Sequence, residues 1–491
     1  MYNHLEKINK TIKIKQIRLE NIKNINSGTI DFFKNDKPLN IIGLYGQNGS
    51  GKTALVNALD IIKTLFIGRK MQKNVIDLLP LSSEATIEII FEVPKEREIY
   101  YKVELRRATS EDLRNENLIN EENEKGEISI KVVSEKLETR NLETNSRKKV
   151  LLGYESENED YPLITKNLFP KNKINSSKLE YVKAMSISNQ ESFIFGTGMR
   201  KFIKEYKNKR MLDELREVLN LLSIDFARNL FIYSNDFSGM IYTNILLPIS
   251  FSVGINASSN ASGTLPLPSN KSSIISKKHF ELANIIFEQI NGVLPNIIPD
   301  LTIEIEELEK RKLEDGNDGY SIEIMANRNG HKFPFRCESD GIKKIVSILS
   351  TLISVYNTPN ATAVIDEFDS GIFEYLLGEL VSVMSSSAKG LLIFTSHNLR
   401  ALEVLNPEEI VFTTTNPDNR YIKITNVKKT NNLRAVYLKA IQLGGFSENL
   451  YAQTDTFSIQ NNFRRTYKKM KKNLQESKIN ESTEKGFDFN S

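Results

Sequence analysis

Lys52 and Thr53 close the stretch Gly43–Thr53, GLYGQNGSGKT, in which Gly46, Gly49 and Gly51 punctuate the chain between an apolar run and a helical pattern. From Gly46 onward the residues Gly46, Gln47, Asn48, Gly49, Ser50, Gly51, Lys52 and Thr53 fit the phosphate-cradling spacing G-x-x-x-x-G-K-[ST]. Glycines at that spacing let backbone N–H groups converge on phosphate oxygens, and the following helix presents its positive end to them. In this arrangement the Lys52 ammonium suits the β- and γ-phosphates and the Thr53 hydroxyl suits Mg²⁺. A second cluster supplies acid. In TAVIDEFDS, Asp366 follows a small-apolar run and Glu367 comes directly after it. An aspartate at the end of a buried strand suits the magnesium, and the neighbouring glutamate suits polarisation of an attacking water. Helix N-capping is the bland alternative for such a pair. His397 ends the run LLIFTSH, thirty residues past Glu367 and one of four histidines, where a γ-phosphate sensor would stand. The chemistry these residues suit is phosphoryl transfer to water.

The surrounding elements are those that such a site needs. LNIIGLY, residues 39 to 45, reads as a buried strand, and TALVNALDIIKTLF places Leu55, Ala58, Leu59, Ile62 and Leu65 on one helical stripe. Further on, IKKIVSILSTLISVY and FEYLLGELVSVMSS are helical by spacing, while ATAVIDEF and KGLLIFTSH are buried strands. Alternation of this kind predicts an α/β fold with a parallel sheet, split between strands before residue 60 and strands after residue 360. Residues 12–32 predict a hairpin turning at NINSG, and residues 85–93 and 98–105 two more strands. Residues 108–150 are highly charged and read as an insertion with partly mobile loops, followed by helical patterns at about 197–223. VGINASSNASGTLPLPSNKSS, residues 253–273, reads as flexible, a helix is expected at about 276–292, and LTIEIEEL and YSIEIMAN are strands around EDGNDG. The expected organisation is an N-terminal part of an ATPase domain (1–107), a mainly helical insertion (108–319), a C-terminal part of the same domain (320–450) and a basic tail (451–491).

Composition narrows the class. At 40% hydrophobic and 26% charged residues the chain of 491 is globular, and no stretch of about 18 apolar residues offers a membrane span. The opening residues lack a secretory pattern and Cys337 is the single cysteine, so a cytoplasmic, membrane-free location is the expectation. A net charge of +4 is too small to indicate nucleic acid by itself. FRRTYKKMKKNL nevertheless gathers Arg464, Arg465, Lys468, Lys469, Lys471 and Lys472, for which a solvated helix face and nucleic-acid contact are both open readings. NESTEKGFDFNS reads as a frayed tail.

One more motif gains meaning from its position. CESDGIKKI, with Ser339 and Gly341 leading into a helix, stands 27 residues before Asp366. In this order GQNGSGKT, ESDGIKK, AVIDEFDSG and TSHN resemble the Walker A, signature, Walker B with D-loop, and switch histidine of ABC-type ATPases. The resemblance implies an ABC-type P-loop fold with an antiparallel β subdomain, ATP and Mg²⁺ as ligands, and two copies sandwiching ATP. Ser339 and Gly341 would then contact the γ-phosphate in trans, Glu367 would be the general base, and Asp369 would connect the two sites. ESDG departs from the transporter signature, and no heptad run fills the space that long coiled coils occupy in SMC proteins. Gln190, in SISNQESF, is the candidate for the glutamine loop. IRLENIKNINSGTIDF, the loop segment and NNLRAVYLKAIQLGG resemble the compact RecF/OLD-like group, particularly stand-alone ATPases of abortive-infection systems. That group implies a separate effector or toxin as partner. A RecF-like DNA-binding role is the alternative, and no acidic cluster after His397 resembles the nuclease domain of OLD proteins.

Overall fold

Ile41–Tyr45 is short, apolar and buried along its whole length, which is the pattern of a strand covered on both faces. It lies inside a six-stranded sheet whose order is Leu230–Tyr233, Thr362–Ile365, Leu391–Thr395, Ile41–Tyr45, Ile410–Thr413 and Tyr421–Ile422. The first five strands run parallel and the last is antiparallel. Alternate side chains feed two separate cores. Ile42, Leu44, Val364 and Ile393 pack into one, while Ile41, Tyr45, Ile365 and Phe394 pack into the other. Because the strands are parallel, with Leu44 beside Thr395, Phe394 beside Ile365 and Ile365 beside Tyr233, their carboxyl ends emerge at one edge. Residues far apart in sequence are thereby gathered there.

The computed structural model describes residues 10–108, 129–156, 168–169, 173–206, 212–256, 259–269, 273–313, 316–424, 432–443, 448–452 and 454–484. The chain divides into two units, Met1–Leu450 and Tyr451–Ser491. In the first, a six-stranded antiparallel sheet runs Ile25–Asp31, Lys13–Ile22, Ala85–Val93, Arg97–Arg107, Ile130–Asn141 and Lys149–Glu155. The expected α/β P-loop fold with a split sheet and an antiparallel subdomain is present.

Several boundaries are corrected. The first hairpin reverses at Lys23 and Asn24, where Lys23 has φ +55°, so the turn takes only the first residue of NINSG and Ile25 already pairs with Ile22. The insertion expected as mainly helical also supplies strands. Ile130–Asn141 and Lys149–Glu155 extend the antiparallel sheet across residue 108, and Leu230–Tyr233 joins the parallel one. Residues 109–128 of the expected charged loops lie outside the described residues. Much of the segment expected to be flexible belongs to a hairpin, Leu246–Asn256 with Ser259–Pro268; residues 257–258 and 270–272 lie outside the described residues. Leu247, Ile249, Leu265 and Leu267 of that hairpin are buried, and Ser347 Oγ from the helix Asp340–Asn357 donates to the Pro248 carbonyl. Leu301–Lys312 and Asp318–Arg328 pair as expected, with Lys277–Asn291 as the preceding helix; residues 314–315 of EDGNDG lie outside the described residues. The second unit contains a helix, Thr456–Glu484, which takes in the start of the expected tail; residues 485–491 lie outside the described residues.

Candidate active site

The glycine loop joins Ile41–Tyr45 to the helix Lys52–Ile67. Gly49 and Gly51 have φ +75° and +95°, a left-handed geometry that L side chains rarely adopt. At Gly46 a Cβ would lie 1.9 Å from Thr413 Oγ1, so the neighbouring strand leaves no room for one. Lys52 is buried, and its Nζ donates to the Gly46 carbonyl at 2.8 Å and the Gln47 carbonyl at 3.1 Å. Burial holds this ammonium below its usual range, against the pull of Asp366, Glu367 and Asp369. The loop is braced from outside by residues that no motif announces. The Tyr421 hydroxyl donates to the Gly51 carbonyl at 2.8 Å, and Asn24 Nδ2 donates to the Gly49 carbonyl.

Asp366 and Glu367 leave the end of Thr362–Ile365 in different directions. Asp366 is buried, and its Oδ1 accepts from Thr395 Oγ1 at 2.6 Å. The same threonine oxygen accepts from the Glu367 backbone N–H at 2.7 Å, so Thr395 fixes the turn between the two acids. Glu367 has φ +49° and is exposed. A non-glycine residue in that region costs of order 1 kcal/mol or more, and such strain concentrates at functional sites. Lys344, buried in the helix Asp340–Asn357, holds the strained turn by donating to the Glu367 and Ser370 carbonyls. Burial pushes the Lys344 ammonium down to about 8, with Asp369, Glu367 and Asp366 opposing.

Asn48, Gly49, Ser50, Gly51, Lys52, Thr53, Asp366, Glu367, Thr395 and His397 line one cleft of about 630 Å³. Gly46 and Gln47 are not among its lining residues and serve as the carbonyl acceptors of Lys52. Partial burial and the nearby Lys52 charge hold the His397 imidazole below its ordinary value, while Asp369, Glu367 and Asp366 pull the other way. Asp369 does not line the cleft; its Oδ2 accepts from the His397 and Asn398 backbone N–H groups at 3.1 and 3.0 Å.

Ser339 and Gly341 also stand outside this cleft. Ser339 is exposed and caps the helix Asp340–Asn357, its Oγ accepting from the Ile342 N–H at 3.4 Å. Gly341 is buried against the turn after Asp369: a Cβ there would fall 1.9 Å from the Gly371 carbonyl oxygen. Gln190 is not at the cleft either. It ends the helix Lys173–Asn189, and its carbonyl accepts from the Met71 N–H at 3.0 Å. A residue that the sequence reading passed over stands nearer to the acids. Asn235 follows Leu230–Tyr233, the strand beside Thr362–Ile365, and its Nδ2 donates to Glu367 Oε1 at 3.3 Å. The apolar run LFIY ending in a polar pair was the available signal.

For magnesium the residues fit a sparse donor set. Asp366 Oδ2 is buried without a hydrogen-bond partner, and Thr53, half-buried, lines the same cleft. Among the described residues no group of three or more His, Cys, Asp or Glu side chains gathers as a self-sufficient metal cage. Mg²⁺ at nucleotide sites needs only one or two protein ligands, the rest being water and phosphate oxygen. Elsewhere, Arg464, Arg465, Lys468, Lys469 and Lys471 are exposed on the helix Thr456–Glu484, as are Phe463, Tyr467 and Met470. No helix among the described residues is long and apolar enough to cross a membrane.

Residues 41–403 match the family described as "AAA domain, putative AbiEii toxin, Type IV TA system". No curated protein sequence matches the chain. Among solved structures it is similar to an SMC head bound to the C-winged helix domain of ScpA, at 12% identity over 84% of this chain and 98% of that one, with a TM-score of 0.39. It is also similar to the SMC head domain from Thermotoga maritima, at 14% identity over 84% and 99% of the two chains and a TM-score of 0.36. The ATP complex of the recombination mediator RecF is similar at 12% identity over 84% and 100%, with a TM-score of 0.35.

Proposed function

This chain belongs to the AAA-domain family whose description covers AbiEii-type toxins, and we propose that it is a cytoplasmic Mg²⁺-dependent ATPase completed by a second copy of itself. The observation that carries the reading is the convergence of Lys52, Thr53, Asp366, Glu367 and His397 on one cleft. Lys52 exchanges its two carbonyl acceptors for the β- and γ-phosphates, and the loop N–H groups bind the same oxygens. Thr53 and Asp366 hold Mg²⁺, which when bound neutralises phosphate charge. Glu367 orients and polarises the attacking water, with Asn235 fixing the carboxylate, and His397 contacts the γ-phosphate.

Ser339 is exposed at a helix N-terminus outside that cleft, a geometry suited to reaching the nucleotide of a partner copy. Asp369, bonded to the backbone of His397, would then carry the state of one site toward the signature, since Gly341 rests on the turn that follows it. ATP-dependent dimerisation is the switch, and its output is control of a separate effector in an abortive-infection system. The family description, which names a putative AbiEii toxin and a type IV system, supports the abortive-infection setting. Light scattering tests it: the full chain should double in mass with ATP, and Ser339→Arg should remain monomeric while still binding ATP. A chain whose mass ignores nucleotide overturns the dimer.

A RecF-like role on DNA is favoured by one observation, the exposed cations of the helix Thr456–Glu484. Neutralising Arg464, Arg465, Lys468 and Lys469 should then abolish duplex binding and flatten its salt dependence. Unaltered binding removes this reading.

A further inference from the structure

The helix Lys52–Ile67 has two ends, and the far one borders a second cavity. Its C-cap is Gly68 with φ +69°, and an open groove of about 1340 Å³ lies there. Ile67, Phe195, Ile203 and Leu219 are among its lining residues and give it an apolar floor. Arg200, Lys204, Arg216 and Arg228 line it as well, and no carboxylate does. Arg200 Nη2 donates to the Phe66 and Ile67 carbonyls at 3.0 and 2.9 Å, at the negative end of the helix. Arg216 donates to the Ile203 carbonyl at 3.0 Å and stands 3.7 Å from the exposed carboxylate of Asp213. Lys204 and Arg228 are exposed and have no ion pair among the described residues.

The charge of Glu191 acts on Arg200, against the other two influences on it, burial and Arg228. Glu191 is buried and accepts from the Thr197 N–H at 3.2 Å and the Thr197 hydroxyl at 2.7 Å. Partial burial and the charge of Arg228 both hold the Arg200 guanidinium below its usual range, so two cations face each other here at a cost. The wall between Arg216 and Arg228 is also unusual in its backbone. Leu221–Phe226 forms a π-helical turn, and Ser223 and Ile224 of that turn line the groove. Such turns are rare and frequent at functional sites.

We propose that this groove is a binding site for an organic anion with an apolar body, its phosphate, sulfonate or carboxylate head on Arg200 and Arg228 and its body on the floor from Ile67 to Leu219. Concentrated positive charge over an apolar surface selects that chemistry: an inorganic ion leaves the floor in water, and a neutral hydrocarbon leaves the guanidiniums opposed. The site is distinct from the nucleotide cleft and shares no lining residue with it. Its occupancy does not depend on the ATPase reading.

The test uses 1-anilinonaphthalene-8-sulfonate, itself a sulfonate on an aromatic body, titrated into the full folded chain by fluorescence. The expected result is a saturable site weakened about tenfold by Arg228→Ala with Lys204→Ala, the loss of one charge-assisted contact to the head and of a second positive charge lining the groove. Both residues are exposed, so the variant should keep the circular dichroism and melting temperature of the parent. Dodecyl phosphate below its micellar concentration should displace the probe, and inorganic phosphate should not. Probe binding unchanged in the double variant overturns the proposal, as does displacement by inorganic phosphate alone or the absence of saturable binding.

Discussion

The two ends of the helix Lys52–Ile67 are built from opposite chemistry. Its N-terminus meets a strained glycine turn, one buried lysine and the acids Asp366 and Glu367; its C-terminus meets a glycine turn and four cations with no acid lining the groove. The helix dipole explains part of this, since Arg200 belongs at the negative end. It does not explain the acids at the positive end of a loop that collects phosphates. A carboxylate such as Asp366, buried beside Lys52 with one oxygen unpartnered, fits a place where a cation is to be held together with an anion. The groove lacks that second sign of charge. One end therefore suits a metal–phosphate pair and the other suits an anion alone.

That contrast can be pressed hardest at Lys52. Lys52→Ala should weaken ATP binding by about two orders of magnitude, the loss of a buried charge-assisted contact to two phosphates, while leaving anilinonaphthalene sulfonate binding at the far end within about twofold. Calorimetry of both ligands on one preparation reads the two numbers, and parallel loss at both ends would break the separation. Asn235→Ala is expected to lower kcat about tenfold with little change in KM, because a positioning hydrogen bond to the Glu367 carboxylate is lost while the phosphate contacts remain. A KM effect of that size would make Asn235 a binding group instead. The smallest expected effect is a titration. The His397 imidazole is held below its ordinary value, so it is neutral at pH 7 and gains its proton only as pH falls beneath the unperturbed range. In carbon-detected spectra the histidine resonance that disappears in His397→Asn should titrate below 6.5, the unperturbed value.

The phosphate end was legible in the sequence because its signals are local. Glycine spacing, a five-residue apolar strand and an acid at a strand end are each encoded within a few residues, and a parallel sheet must bring such strand ends together. The groove was not legible because its cations come from separate short helical turns and mean nothing until those turns pack. Ile130–Asn141 was hidden for another reason. Glu135 occupies an inward position of that strand, fully buried, where it accepts from Tyr101 Oη at 2.6 Å, Ser192 Oγ at 2.7 Å and the Ile194 N–H at 3.0 Å. A charged residue facing the core breaks the alternation by which a strand is recognised. The hairpin Leu246–Pro268 was obscured by its Ser, Asn and Pro content, though four apolar residues and a backbone ladder suffice to dock it on Asp340–Asn357. Asn235 was missed because it carries no motif, only a strand end beside that of Asp366.

If the cleft over the glycine loop hydrolyses ATP, Glu367 is the group that activates water. Phosphate release by Glu367→Gln, measured at saturating ATP beside a binding titration of the same protein, tests it most directly. Turnover should be at least about a hundredfold slower, as for loss of a general base, with ATP affinity retained and the nucleotide-bound dimer accumulating. Turnover equal to that of the parent, with ATP bound equally well, would contradict it.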